Sequence, residues 1–443
     1  MSGVRKGSRP SAKGGGGHAK NADKGSKASP VSCFSFCRTD FLICAGICAV
    51  YFAFRLLWLG TPAENYFDEV YYVPAANDYL ALKHDSNWVH PPLGKEIAAL
   101  FSLLWKGDPF FAMRLGPAFF GALTVGVVFL LGELSVGGRK AGLLAAFFAF
   151  FDFLLYAQSG IVTLDVFLTF FMLLSALFIR IAMSFERDPD RERLFIVLSA
   201  VAAGLAGACK WSGVFSMFFA WFCILFLGCG GDLVRSLKKC LLFLAVFSVS
   251  YAAPYAYYFA IGGTFPELFK TFMRVLKFQY GSGWNHGYLS PMWKWVLMVR
   301  PVWYYFAKPD GVYSGIIAMG NPLFWWGFLV FFAVSVWRLV ESRDRGLAFL
   351  LFGYLFSFVF WIASNRNGFF YYMLPAVPWM CLIASRSLSP LLGGKSAWCV
   401  WVYCSAIVVA FILYFPFLSG VMLPSSFPSK AYFRTLFFLR SWI

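Results

Sequence analysis

Charge is scarce in this 443-residue chain: Asp, Glu, Lys and Arg together make up 13% of it, against 60% hydrophobic and 21% aromatic residues. Apolar runs near or above the roughly 20 residues that cross a bilayer recur along its length, which excludes a soluble domain and reads as a polytopic, all-α membrane protein. Acid is rarer still, with 21 carboxylates against 38 Lys and Arg. The net charge of +17 comes with neither a recognition motif nor a compact basic face, so nucleic acid is excluded as a partner. Four histidines, with no two-His spacing on one helix and no carboxylate cluster, give too few ligands for a divalent metal. The eleven cysteines fall within the apolar runs or toward their basic side, which argues against a secreted-type disulfide framework, and Cys33 with Cys37 lacks the further ligands that zinc requires. No small-residue cleavage site follows the first apolar run, which is expected to stay as an anchor.

Spans fit at about 39–59, 111–134, 140–158, 161–183, 194–208, 211–229, 239–261, 320–339, 346–363, 369–388 and 397–419. Eleven crossings put the two chain ends on opposite sides. Of the 38 basic residues, 22 lie in the first 38 positions and in the short loops on that side, which places the N-terminus in the cytoplasm by the positive-inside rule. Residues 1–38, rich in Lys, Gly and Ser, are expected to be a disordered basic tail held near anionic lipid. Residues 39–443 form one transmembrane domain, with outer loops at about 60–110 and 262–319.

The first outer loop carries most of the chemistry. Asp68 and Glu69 stand side by side just after the first span, and His90-Pro91-Pro92-Leu93-Gly94-Lys95 follows in the same loop. Leu93 to Trp105 is apolar but too short to span, and is expected to lie flat as an interfacial helix. Asp68 is a general-base candidate or a cap of the following helix. Glu69 is a partner in that chemistry or a scaffold paired with Arg55 or Arg114. His90 either joins the site or satisfies a buried turn, and Asp165, inside the fourth span, needs a basic partner or a role at the site. The second outer loop holds Trp284, His286, Trp293, Arg300, Trp303, Tyr304 and Tyr305, an aromatic density that also marks the lipid headgroup zone.

Phe67-Asp68-Glu69, the His90 to Lys95 string, Arg114, Cys209-Lys210-Trp211, Asn285-His286-Gly287-Tyr288, Arg300-Pro301-Val302-Trp303, Gly320-Asn321-Pro322, Arg366 with Phe369 to Pro375, and Ser441-Trp442-Ile443 occur in one order from about residue 40 to the end. In that order they resemble the bacterial branch of the protein O-mannosyltransferases. The resemblance implies a GT-C glycosyltransferase fold, with mannose moved from a polyprenyl-phosphate-mannose donor to Ser or Thr hydroxyls of exported polypeptides at the outer face of the plasma membrane. Association with export machinery is compatible with it, although no residue displays it.

On that reading Asp68 takes the proton of the acceptor hydroxyl while the sugar carbon is attacked, and one displacement inverts the anomeric centre. The departing phosphate needs positive charge in a water-poor site, for which Arg114 is the first choice, then Lys210, then Arg300 and Arg366. Arg55 organises the carboxylate loop, and His90 and His286 contact substrate or stabilise their loops. No cofactor is required. A single phosphate lacks the diphosphate that Mg²⁺ bridges, so the reaction is expected to be metal-independent. Two departures stand out: the second outer loop has no room for the β-trefoil insert of eukaryotic members, and Gly160 stands where many members show Arg, which leaves a local ion pair or donor contact open. A GT-C transferase with a lipid or glycan acceptor and a transporter are the alternatives; a transporter calls for internal repeats and helices broken at mid-membrane.

Overall fold

The computed structural model describes residues 36–228, 232–281, 286–308, 312–363, 367–424 and 430–442. The expected disordered tail therefore lies, up to residue 35, outside the described residues.

The chain folds into α1 (Arg38–Leu56), α2 (Glu69–Leu80), α3 (Leu93–Ser102), α4 (Pro109–Gly132), α5 (Arg139–Phe150), α6 (Phe153–Gln158), α7 (Asp165–Ala182), α8 (Pro189–Cys209), α9 (Val214–Phe222), α10 (Leu233–Ala252), α11 (Ala256–Ala260) and α12 (Phe265–Gly281). After α13 (Met292–Val296) come β1 (Val302–Ala307) and β2 (Val312–Ala318), followed by α14 (Pro322–Ser342), α15 (Arg345–Phe356), α16 (Phe360–Ala363), α17 (Val377–Leu388) and α18 (Ala397–Tyr414). A short tail adds α19 (Pro416–Ser419), β3 (Leu423–Pro424) and α20 (Lys430–Leu436).

Several spans begin where a polar side chain meets the first free N–H groups. Asp108, Asp188 and Asn321 each precede a proline at the first helical position and accept from Phe110 N (2.9 Å), Arg191 N (3.2 Å) and Leu323 N (3.2 Å). Asp232 and Asp344 do the same for α10 and α15, at 2.8 Å from Arg235 N and 2.7 Å from Gly346 N. A capped end satisfies donors that have no helical partner, and proline there loses nothing.

Among the described residues, eight helices are long and apolar enough to cross a membrane. Three of the eleven expected spans take a different form. The run 140–158 is broken into α5 and α6 because Asp152 accepts from Leu155 N (2.9 Å) and from Trp325 Nε1 (2.8 Å), starting a new helix inside the apolar segment. The run 211–229 is the shorter apolar helix Trp211–Leu227, and 369–388 opens as a 3-10 turn over Phe370–Ala376 before α17. α4 and α7 occupy the centre, whereas α1, α10 and α14 keep most of their surface outward. α8 and α10 approach closely: a Cβ on Gly204 would lie 2.6 Å from the carbonyl oxygen of Phe247, so only glycine lets these backbones meet.

The expectation of an all-helical chain needs one correction. β1 and β2 of the second loop form an antiparallel sheet with β3 of the C-terminal tail, Val302 lying opposite Ala318 and Tyr313 opposite Leu423. Burial alternates over the first four residues of β1, with Val302 and Tyr304 inward, which is strand periodicity in a segment that an aromatic headgroup belt also fits. Trp442 folds back beneath this sheet, donating to the Met298 carbonyl (2.8 Å) while its own carbonyl accepts from Trp303 Nε1 (2.9 Å).

Ion pairs collect at the two ends of the bundle. Arg139–Asp40 (2.6 Å), Lys239–Glu192 (2.6 Å) and Arg386–Asp344 (2.7 Å) bind helix ends opposite the long loops. Arg114–Glu69 (2.8 Å), Lys210–Asp165 (2.9 Å) and Lys95–Asp85 lie at the loop-bearing end.

Candidate active site

At the loop-bearing end the chain leaves α1, turns through Phe67 at φ 49°, and enters α2 at Asp68 and Glu69. A positive φ is costly for a bulky residue and persists only where packing over-determines it. Here the Phe67 ring stacks on Tyr304 (centroids 4.3 Å apart) and meets Tyr371 edge-on (5.5 Å).

That turn sends the two carboxylates to different fates. Glu69 is 1% exposed and takes Arg114 as a forked partner, Nε to Oε1 at 2.9 Å and Nη2 to Oε2 at 2.8 Å, with Val162 N also donating to Oε1 (2.9 Å). Asp68 sits at the N-cap position of α2 without capping it. Its Oδ2 instead accepts from the Tyr371 hydroxyl at 3.3 Å, and among the described residues it has no salt bridge. Burial pushes its carboxyl up to about 6, with Asp165 adding to the rise while Lys210 and the Tyr371 bond oppose it. Asp68 is therefore the open, basic carboxylate, and Glu69 is the locked one.

Arg114 is committed more fully than its expected role as a phosphate ligand allows. Beyond Glu69 it donates to the carbonyls of Leu59 (3.2 Å), Pro62 (2.8 Å) and Glu64 (2.8 Å), so all of its N–H groups have protein acceptors. It ties the 59–69 loop to the start of α4, and in this arrangement has no donor left for a phosphate.

Lys210 caps α8 and pairs with Asp165, its Nζ 2.9 and 3.1 Å from the two carboxylate oxygens. The same Nζ lies 4.5 Å above the Tyr372 ring and 5.7 Å from that of Tyr371, the residue that bonds Asp68. Asp165, Lys210, Phe215, Trp361 and Tyr372 line a tight cleft there. This is the cation that the fold brings to Asp68.

Arg55, near the end of α1, does not pair with Glu69. It is 2% exposed, its guanidinium lies over Tyr156 (4.7 Å), and its Nε and Nη1 are buried without hydrogen-bond partners. A Cβ on Gly160 would fall 1.2 Å from Arg55 Nη2, so the guanidinium occupies the space of a side chain at position 160. The departure noted at Gly160 is thus filled by a cation from another helix.

Lys95, singled out only as the end of the His90 string, is fully buried and holds the loop by donating to Asp85, to the Asn87 carbonyl (2.6 Å) and to the His90 carbonyl (3.0 Å). His90 faces Tyr72 (6.1 Å), and burial, with Lys210 and Lys95 nearby, holds its imidazole well below the ordinary value and hence neutral. His286 is exposed, accepting from Tyr288 N (3.2 Å) and meeting Phe369 (5.4 Å), which stacks on Tyr371. Arg300 stands by Tyr288 (5.9 Å), and no hydrogen bond or ion pair joins it to the Asp68 group among the described residues. Arg366 lies outside the described residues.

A half-buried carboxylate, aromatic walls and a paired lysine can deprotonate a hydroxyl next to a departing anion. Comparisons with known proteins place relatives beside this chain. A family model described as dolichyl-phosphate-mannose-protein mannosyltransferase matches residues 102–264. A polyprenol-phosphate-mannose–protein mannosyltransferase of Corynebacterium glutamicum is 24% identical over 82% of this chain and 86% of its own length. Its counterpart from Mycobacterium tuberculosis is 26% identical over 82% and 84%. Among solved structures, the Saccharomyces cerevisiae protein O-mannosyltransferase Pmt1-Pmt2 complex bound to the sugar donor aligns with a TM-score of 0.78 at 12% identity, covering 93% of each chain.

Proposed function

From this kinship with the protein O-mannosyltransferases and the GT-C fold it shares with them, we propose that the chain transfers mannose from a polyprenyl-phosphate-mannose donor to Ser or Thr hydroxyls of exported polypeptides. The observation that carries the reading is the division of labour between neighbours: Glu69 is consumed by Arg114, while Asp68 is left open beside the Lys210–Asp165 pair.

Asp68 accepts the acceptor hydroxyl's proton as its oxygen attacks the anomeric carbon, and the bond to phosphate breaks on the opposite face with inversion. Lys210 steadies the developing phosphate charge, turning toward it from Asp165, and Arg55 adds a buried positive field. Arg114 and Glu69 keep the acid's loop in place. The leaving phosphate carries its own charge away, so neither a metal nor a cofactor is required. The site faces the extracytoplasmic side and the N-terminus the cytoplasm, as the concentration of basic residues at the opposite end of the bundle supports. An exported acceptor also places the enzyme where association with export machinery would be of use.

The deciding assay combines membranes, radiolabelled polyprenyl-phosphate-mannose and a Ser/Thr peptide. Asp68→Asn is expected to lower turnover by at least about 100-fold with donor binding largely retained. Near-normal turnover would remove Asp68 from the mechanism, and label passing to lipid or glycan instead of peptide would replace the acceptor.

A further inference from the structure

Lined in part by Trp211, the residue after Lys210, a second cavity of about 320 Å³ lies between the first outer loop, the α10–α11 end and α12. A space of this size holds one or two side chains with their backbone. Tyr79, Trp88, Tyr255 and Tyr257 give it aromatic walls, and Asp85, Glu96 and Glu267 give it three carboxylates. Among the described lining residues there is neither Lys nor Arg, in a chain where these outnumber Asp and Glu 38 to 21. Apart from His84 and His90, the charge-bearing side chains that line it are thus acidic.

Two of the three acids are already engaged. Asp85 takes Lys95 and the Tyr79 hydroxyl (2.9 Å), and Glu267 accepts from Thr264 N (3.1 Å) and Oγ1 (2.8 Å). Glu96 is different: its Oε1 is buried and has no hydrogen bond. Burial pushes its carboxyl up to about 7, Asp85 adding to the rise against Lys95, which leaves a group that a cationic visitor would return to the ionised state.

The lining decides the occupant. Carboxylates repel a phosphate, and an isoprenoid chain would desolvate them without compensation. A lysine or arginine gains from both features, its stem lying on aromatic rings and its head meeting Glu96. The roof is built for such an arrangement: α12 is fastened over the cavity by Arg274, whose guanidinium lies 3.9 Å from the Trp88 ring, and by the contact of Phe278 with the same ring (5.7 Å). The inner wall adjoins the reacting groups, since Trp211 follows Lys210 in the chain and His90 faces Tyr72, one helical turn beyond Asp68.

Building on the proposed mannosyl transfer, we infer that this cavity seats a Lys or Arg neighbouring the acceptor Ser or Thr, so that the acceptor polypeptide enters over it. Basic flanking residues are then preferred, and Glu96 is the residue that reads them.

The test uses the purified full-length protein, polyprenyl-phosphate-mannose and three Ala-rich peptides with a single Thr flanked by Lys, Gln or Glu. The wild type should favour the Lys peptide over the Gln peptide by about tenfold in kcat/KM, as one half-buried charge pair allows, with the Glu peptide poorest. Glu96→Gln should bring the Lys-to-Gln ratio near one through the peptide KM while the donor KM stays within about twofold, and Glu96→Lys should invert the order of the Lys and Glu peptides. Equal use of all three peptides by the wild type would overturn the inference. So would a Glu96→Gln variant whose donor KM rises with peptide selectivity intact, which would give the cavity to the lipid. Wild-type protein that labels no peptide would overturn the underlying transfer reaction, a separate and recognisable failure.

Discussion

Asp68 meets its solvent and its neighbours as a carboxyl pushed up to about 6 by burial, and a general base works only when ionised. Below that pH the proton stays on and the hydroxyl keeps its own; above it the base is available. The peptide kcat/KM is therefore expected to rise about tenfold per pH unit up to roughly 6 and to level off beyond, in a profile measured at saturating donor. A rise centred near 4 would mean that Asp68 is not the titrating group. Arg114 yields a prediction of another kind, because its removal strands Glu69 as a buried unpaired charge and frees three carbonyls. Arg114→Ala should cost about 3 to 5 kcal/mol of stability, seen as early thermal unfolding in detergent. Full stability with a weakened donor affinity would return Arg114 to the phosphate. The sequence displays that Asp68 and Glu69 are adjacent; which one is free depends on where Arg114 and Val162 arrive from elsewhere in the chain, and no local pattern carries that.

At the scale of elements, the most specific contact is between α1 and the turn after α6, where Arg55 fills the place of a side chain at Gly160. Gly160→Ala puts a methyl group into a guanidinium that lies against Tyr156, and should destabilise by about 1 to 3 kcal/mol. In a double-mutant cycle Arg55→Ala should recover part of that loss, since the clash and its partner vanish together; strict additivity would contradict the packing. Helices themselves were largely readable, because apolar runs and the Asp-Pro and Asn-Pro steps at 108–109, 188–189 and 321–322 mark their starts. Residues 140–158 are less so, since Asp152 caps Leu155 N locally but also needs Trp325, more than a hundred residues away, to satisfy its other oxygen inside an apolar run. The sheet is not legible for a related reason: Trp303 to Phe306 satisfy both a membrane-surface belt and a strand, and it is the pairing with Gly315 to Ile317 that selects the strand.

For the whole molecule, the sidedness of the bundle governs whether Asp68 sees exported protein. Lys83 is exposed in the loop that carries Asp68. In intact cells a Lys83→Cys variant should react with a membrane-impermeant maleimide, whereas exposed Cys399, at the opposite end, should react only after permeabilisation. The reverse pattern would turn the protein over and remove its access to exported acceptors. The membrane-crossing helices follow from composition, because hydrophobic length acts on each span separately. The site does not, because it is assembled from α2, α7, α8 and the 3-10 turn before α17, four segments that share no sequence neighbourhood.

α1 keeps most of its surface turned outward, yet the stretch that ends in Asp68 hangs from it on one side and from buried α4 on the other. Asp68 is thus suspended between an outward-facing wall and a buried post. On the proposed mechanism a change of bilayer thickness that tilts one against the other is expected to alter turnover, read as peptide labelling in vesicles of short- and long-chain lipid.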